Sequence, residues 1–311
     1  MVAKLPLPKH NSIELIQTIN KERFQHADFF RSMEEDWVAQ VLSYRENNGD
    51  PCILSPLNLS SYISGETLAF EKGNEAMPRE SEDALTRLLI RRKNSVKGLY
   101  KPTKDKELYK TLDILRNKHK LNYCPCCGSP GKPTTLDHYL PQSIFPELSI
   151  VFENLTPMCS KCNELKKNNI KDNKGNRLFL HPYYDPINEV QLELTITPPY
   201  GSPSSFIAEV PNLVPEPFRT VIMNHIGQIE FVNRLEEACI TEYADLIATL
   251  HEEKQKDIKI NVKSKIEDFY NLAKQRSTNK WMAIYYRGIL RNKDLLDFLE
   301  NEDLSEYLEE A

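Results

Sequence analysis

Glycine is scarce in this chain, with ten residues against twenty prolines in 311. No G-x-G-x-x-G, no G-x4-G-K-[ST] and no G-x-S-x-G occurs. Each of those motifs needs glycine to bring backbone against a phosphate or to turn sharply beneath a nucleophile, so dinucleotide enzymes, P-loop ATPases and serine hydrolases are disfavoured. No run approaches the roughly 18 consecutive apolar residues that cross a bilayer, and no membrane partner is expected. The opening MVAKLPLPKHNS lacks the apolar core of a signal peptide. The expected location is therefore the cytoplasm, where thiols stay reduced. Length suggests about two domains. The 40% apolar and 27% charged composition is that of an ordinary folded protein rather than a disordered one.

A net charge of -5 conceals a strong asymmetry. Arg87 to Lys120 holds twelve Lys and Arg against three acids, and Asn122 to His181 holds seven against five. Asp294 to Ala311 holds eight acids and no Lys or Arg. A basic middle between acidic ends can hold a phosphate backbone. The plainer reading of LLIRRKNSVKG is the solvated face of a helix.

SIELIQTINKERF, MEEDWVAQVLSYREN, SEDALTRLLIRRK (opening at Ser81) and DKELYKTLDILRNKHK have helical spacing, with a loop over 47–60. EVQLELTITPPY alternates as a strand does and can pair with FIAEV at 206–210. RLEEACITEYADLIATLHEE and STNKWMAIYYRGIL return to amphipathic helix. Trp281, Tyr285 and Tyr286 are expected in the core. The organisation is helical over 1–120 with basic helices, distinct over 121–185, and mostly helical over 186–311 with a short hairpin and an acidic tail.

Seven cysteines are present, and five fall between 124 and 162. The odd number and the clustering favour metal over disulfides. Cys124-x2-Cys127 and Cys159-x2-Cys162 form two knuckles able to close a thiolate tetrahedron around structural Zn²⁺. Cys126 is then a spectator, and Cys52 and Cys239 are expected in the core. The 31 residues between the knuckles exceed a plain zinc ribbon, so something is inserted. TTLDHYL and IVFENLTP read as strands, and SKCNELKK as a helix with Ser160 as N-cap. The insert and helix carry Asp137, His138, Asn154 and Asn163.

The string C-x2-C, D-H-Y-L-P, E-N-L and C-x2-C-N-x2-K over 124–167 resembles the HNH endonucleases, in the four-cysteine form whose last histidine is an asparagine. D-H-Y-L-P-x-S, with H-P-Y at 181–183, further resembles Septu-type nucleases of bacterial anti-phage defence, which accompany an ATPase and also occur in retron systems. The resemblance implies a mainly α-helical protein with a central zinc-stapled ββα-metal unit and small α+β insertions. It implies hydrolysis of phosphodiester bonds, with DNA favoured over RNA, and an ATPase protein partner. By the same resemblance His138 is the general base, Asp137 and Asn163 hold catalytic Mg²⁺ or Mn²⁺, and Asn154 ties the loop that aims the histidine. Lys166, one turn past Asn163, could touch phosphate.

Adjacent residues of a regular strand face opposite ways. Asp137 and His138 can therefore share a site only at an irregularity such as a strand end. His181 could approach the site or could be a packed turn residue. His10, His26, His119, His225 and His251 have no motif around them. The rival reading is a non-catalytic zinc-dependent module for nucleic-acid binding or for docking to a larger machine. A pure zinc knuckle needs neither Asp137 nor His138.

Overall fold

A computed structural model describes residues 2–65, 67–69, 83–256 and 261–308. Apolar residues three and four apart set the N-terminal helices. Helix α1 (Ser12–Glu22) begins where the Asn11 side chain accepts from the Ile13 N–H. Helix α2 (Ala27–Glu46) buries Phe29, Phe30, Met33, Trp37, Val41 and Tyr44 along one face. Helix α3 (Ala84–Gly98) opens at Asp83, whose carboxylate accepts from the Thr86 N–H at 2.7 Å. The start expected at Ser81 lies outside the described residues. Helix α4 spans Glu107–Asn117, and 47–60 is built of turns, as expected.

Strands β1 (Thr135–His138) and β2 (Leu155–Met158) pair antiparallel, with Asp137 opposite Thr156 and His138 opposite Leu155. Both are shorter than the sequence suggests. Phe152–Asn154 is a 3-10 turn, closed by the Asn154 N–H on the Val151 carbonyl at 2.9 Å, so pairing starts only at Leu155. Helix α5 (Ser160–Lys166) follows β2 directly. Its N-cap is Cys159, not Ser160, because the knuckle fixes the backbone one residue earlier.

The expected second hairpin is present: β3 (Glu193–Thr197) pairs with β4 (Ser205–Glu209), from Glu193 opposite Glu209 to Thr197 opposite Ser205. Alternation buries Leu194, Ile196, Phe206 and Ala208. Five helices complete the described chain: α6 (Phe218–Gln228), α7 (Phe231–Gln255), α8 (Val262–Ala273), α9 (Trp281–Arg291) and α10 (Lys293–Asn301). Strand β4 packs on α7 and β3 on α9. Trp281 and Tyr285 are core residues, as their spacing indicates, while Tyr286 is half-buried with its hydroxyl on Glu242. Buried apolar side chains form one contiguous cluster from Val2 to Leu304. Among the described residues no helix is long and apolar enough to cross a membrane.

One face of α2 walls in the loop between β1 and β2. The Trp37 indole N–H donates to the Glu147 carbonyl at 2.6 Å, and the Gln40 amide reaches the Glu147 carboxylate at 3.3 Å. The Arg45 guanidinium holds the Glu153 carboxylate at 2.8 Å, and the Ser12 hydroxyl donates to the same carboxylate at 2.7 Å. From α3, the Val96 carbonyl accepts from the Ser149 hydroxyl at 3.3 Å. Helix α3 is accordingly more than a solvated charged face: Arg92 is buried, with one guanidinium nitrogen 2.7 Å from His26 Nδ1.

Candidate active site and metal centre

The two knuckles meet. The sulfurs of Cys124, Cys127, Cys159 and Cys162 all lie within 4.8 Å of one another. A tetrahedral Zn²⁺ with bonds of about 2.3 Å sets its sulfurs about 3.8 Å apart, so four soft thiolates at this spacing fit a closed structural zinc site. Turn geometry builds the first knuckle: the Gly128 N–H donates to the Cys124 carbonyl at 2.7 Å and the Cys124 N–H to the Ser129 carbonyl at 2.9 Å. Gly128 sits at φ +80, and a Cβ there would lie 2.7 Å from the Asn279 carbonyl oxygen, so only glycine fits. The Cys159 N–H donates to Cys124 Sγ at 3.3 Å, joining the knuckles directly.

Cys126 is fully buried but outside the cluster, facing His225 Nε2 at 3.9 Å, and is the expected spectator. Cys239 is in the core as expected. Cys52 is not: it is exposed, held in a turn by its N–H on Asp50, with its thiol 3.1 Å from the Gly175 carbonyl. A lone cysteine carries no periodicity that would have placed it on the surface.

Above the cluster, β1 presents two residues of one face to α5. Thr135 accepts at Oγ1 from the Asn163 amide at 3.1 Å, and Asp137 Oδ1 lies 3.2 Å from Lys166 Nζ. Asp137 is 4% exposed and Lys166 1%. The ammonium also donates to the His138 carbonyl at 2.7 Å and lies over the Phe179 ring. Lys166 is thus a buried tie between α5 and β1 rather than a surface cation presented to phosphate, because its stem runs inward beside the strand. Asp137 Oδ2 is buried with no hydrogen-bond partner, and among the described residues nothing donates to the Asn163 amide oxygen. Oxygen donors of this kind, a buried unpartnered carboxylate oxygen and an amide oxygen, are of the hard class that suits Mg²⁺ or Mn²⁺.

His138 leaves the opposite face of the strand, as alternation requires. Among the described residues no hydrogen bond joins its ring to Asp137 or Asn163. Its Nε2 is 2.9 Å from the Ser149 carbonyl, and its ring lies edge-on to Tyr100 at 4.5 Å between centroids. A carbonyl only accepts, so Nε2 carries the proton and Nδ1 keeps the lone pair. Burial lowers the His138 pKa to about 4, against opposing contributions from the Ser149 bond and the Asp137 charge. The ring is therefore neutral near pH 7, as a general base must be.

Asn154 does not enter the site. It is fully buried, and its amide closes the loop after β1. Oδ1 accepts from the Leu140 N–H at 2.7 Å, and Nδ2 donates to the carbonyls of Leu140 at 3.0 Å and Leu148 at 3.1 Å. His181 is also fully buried, beneath Tyr139 and Tyr184. Burial and the nearby Arg177 hold its pKa well below the ordinary range.

Sequence reasoning missed several neighbours. Thr135 was legible as the residue two before Asp137 on the same strand face. Tyr100 and Arg116 fall within the basic stretch, but nothing local marks them. The Arg116 guanidinium is half-buried over the Tyr100 ring, 5.3 Å from its centroid, and shares the field of Asp113 with Lys118. Arg234 lies 3.4 Å from Cys162 Sγ and 3.6 Å from Cys127 Sγ, where it offsets thiolate charge, and stacks over Trp281. It comes from α7, beyond the range of any knuckle motif.

The purified protein is expected to contain one zinc per chain by elemental analysis. Cys162→Ser is expected to lose the metal and to melt at least roughly 10 °C lower, because structural zinc contributes folding free energy outright. Full zinc content in that variant would contradict the site.

Comparison with known proteins agrees with this geometry. Residues 124–169 match the family model described as HNH endonuclease. Protein ea31 of Escherichia phage lambda is 37% identical over 62 residues, which are 20% of this chain and 21% of that protein. The match thus spans about a fifth of that relative's length. No solved structure matches. Members of the HNH family are nucleases, and residues 124–169 of this chain are an HNH endonuclease domain carrying a four-cysteine cluster.

Proposed function

We propose that the protein is a metal-dependent endonuclease that hydrolyses phosphodiester bonds of nucleic acid, with DNA the favoured polymer. The observation that supports this most is that a neutral, tautomer-fixed His138 follows Asp137, with its unpartnered carboxylate oxygen, at the end of one strand. A phosphate lying over that strand end would meet the carboxylate on one side and the imidazole on the other. His138 Nδ1 takes a proton from water, the water oxygen bonds to phosphorus, and the bond from phosphorus to the leaving sugar oxygen breaks. A divalent ion held by Asp137 and Asn163 would offset the charge that builds on the leaving oxygen. Lys166 holds the carboxylate, and Arg116, over the Tyr100 ring that contacts His138, would be the cation to meet substrate phosphate.

The burial of His138 and Asp137 favours a second, compatible reading. The Tyr100 ring packs edge-on against the imidazole, so substrate would reach His138 only if that contact opened. That fits a nuclease silent until triggered within a larger assembly, such as a defence system with an ATPase partner. Co-purification with an ATPase, and cleavage only in that complex, would support it. Tight nucleic-acid binding with no turnover under any divalent metal would favour the non-catalytic rival.

With Mg²⁺ or Mn²⁺ and plasmid or structured RNA as substrate, His138→Ala is expected to cut at least about 10²-fold more slowly than the wild type, the size of a general-base contribution. Equal cutting by both ends the proposal. The pH dependence has a definite sign, since only the neutral ring accepts a proton and burial pushes its pKa down to about 4. The ratio of wild-type to His138→Ala rate should therefore hold as pH falls through 6.5 and fade only towards 4. A midpoint at or above 6.5 would contradict the buried, neutral base.

A further inference from the structure

Of the buried polar groups outside the HNH residues, one set forms an unbroken chain that ends at the catalytic loop. His181 Nδ1 accepts from the Tyr183 N–H at 3.1 Å. The proton of the neutral ring is therefore on Nε2, which lies 2.8 Å from the Tyr44 hydroxyl oxygen and must donate to it. That bond decides where the tyrosine's own proton goes. With its oxygen occupied as an acceptor, the hydroxyl donates towards Asn154 Oδ1 at 3.2 Å and the Glu153 carbonyl at 3.3 Å.

Asn154 in turn holds both stems of the loop through Leu140 and Leu148. Leu140 is two residues after His138. Leu148 precedes Ser149, the residue whose carbonyl orients the imidazole. The sequence Nε2–H, Oη–H, Oδ1 thus runs from the 179–185 turn, across α2, to the group that aims His138. Gly49 leaves room for it. At φ +67, a Cβ there would lie 2.8 Å from both the His181 and the Tyr44 rings, and the Gly49 N–H caps α2 on the Tyr44 carbonyl at 2.8 Å.

We infer that His181 and Tyr44 are positioning residues for the nuclease reaction, acting on His138 through the side-chain amide of Asn154. The inference rests on the nuclease reading above but concerns a geometry that can be measured without turnover. His181 orders the tyrosine hydroxyl, the hydroxyl completes the acceptor valence of the Asn154 oxygen, and the amide plane then fixes the Leu148–Ser149 backbone. Loss of any member lets the Ser149 carbonyl drift from His138 Nε2. The imidazole then samples the other tautomer, in which Nδ1 is no longer a base.

Nitrogen NMR of histidine-labelled full-length protein, with the His138 signals assigned by their absence in His138→Ala, gives the first readout. Cleavage kinetics give the second. Tyr44→Phe, which keeps the ring volume, and His181→Phe are expected to shift or broaden the His138 Nε2–H signal. Both should lower the cleavage rate at saturating substrate roughly tenfold with KM unchanged, the scale of one lost buried hydrogen bond. His181→Gln, which keeps a donor towards Tyr44, should recover part of both effects. Tyr243→Phe is the control, since it removes a buried hydroxyl bonded to the remote Tyr200 carbonyl, and it should change neither. If His181→Phe does not fold, Tyr44→Phe decides alone. An unmoved His138 signal in folded Tyr44→Phe overturns the inference, as does an equal disturbance in Tyr243→Phe. If the wild type cuts nothing while the NMR shift occurs, the positioning stands and the nuclease reading fails.

Discussion

The side-chain amide of Asn154 is the point on which the candidate site turns. Buried away from water, it cannot leave its donors and acceptor unpaired without a cost of about 1–3 kcal/mol for each group. Its bonds to Leu140 and Leu148 clasp the two ends of a loop that would otherwise be free to slide over the hairpin. With that clasp closed, the Ser149 carbonyl meets His138 and selects the ring tautomer. The N-terminal helices then have a fixed surface to grip, through Trp37, Arg45 and Ser12. The helical region is in this sense a mould for the loop between β1 and β2 as well as a source of positive charge.

Beside the clasp lie side chains of two kinds, soft sulfurs and hard oxygens. Four sulfurs converge where the two knuckles meet, with Cys159 at the start of α5. Asp137 faces α5, which carries Asn163, with one carboxylate oxygen held by Lys166 and the other unpartnered. A buried ion pair of this kind adds little net stability, because desolvation offsets the attraction. Its value here is orientation: Lys166 has one bond to the carboxylate and one to the His138 carbonyl, which locks the two residues at the strand end together.

What could be read from sequence was what is local. The C-x2-C spacings, the helices at three-and-four periodicity and the alternating β3–β4 hairpin depend on neighbours a few residues away, and each is found where expected. Cys126 likewise lies outside the four-sulfur cluster. Elsewhere a competing contact decided the local arrangement. Lys166 is drawn inward by Asp137, Cys159 rather than Ser160 caps α5 because its position is fixed by the knuckle, and Cys52 is exposed in a turn. The supporting residues were invisible for a different reason. Tyr44 reaches Asn154 across 110 positions and Arg234 reaches Cys162 across 72, so no window of sequence holds both partners.

Anomalous diffraction from crystals of the full chain soaked in Mn²⁺, recorded at the zinc and manganese edges, tests this arrangement most directly. One zinc peak is expected among the four sulfurs, and one manganese peak against Asp137 Oδ2 and the Asn163 amide oxygen, with His138 still bonded to Ser149. Manganese bound elsewhere with the Asp137 oxygen left bare, or sulfurs with no shared zinc, would contradict it.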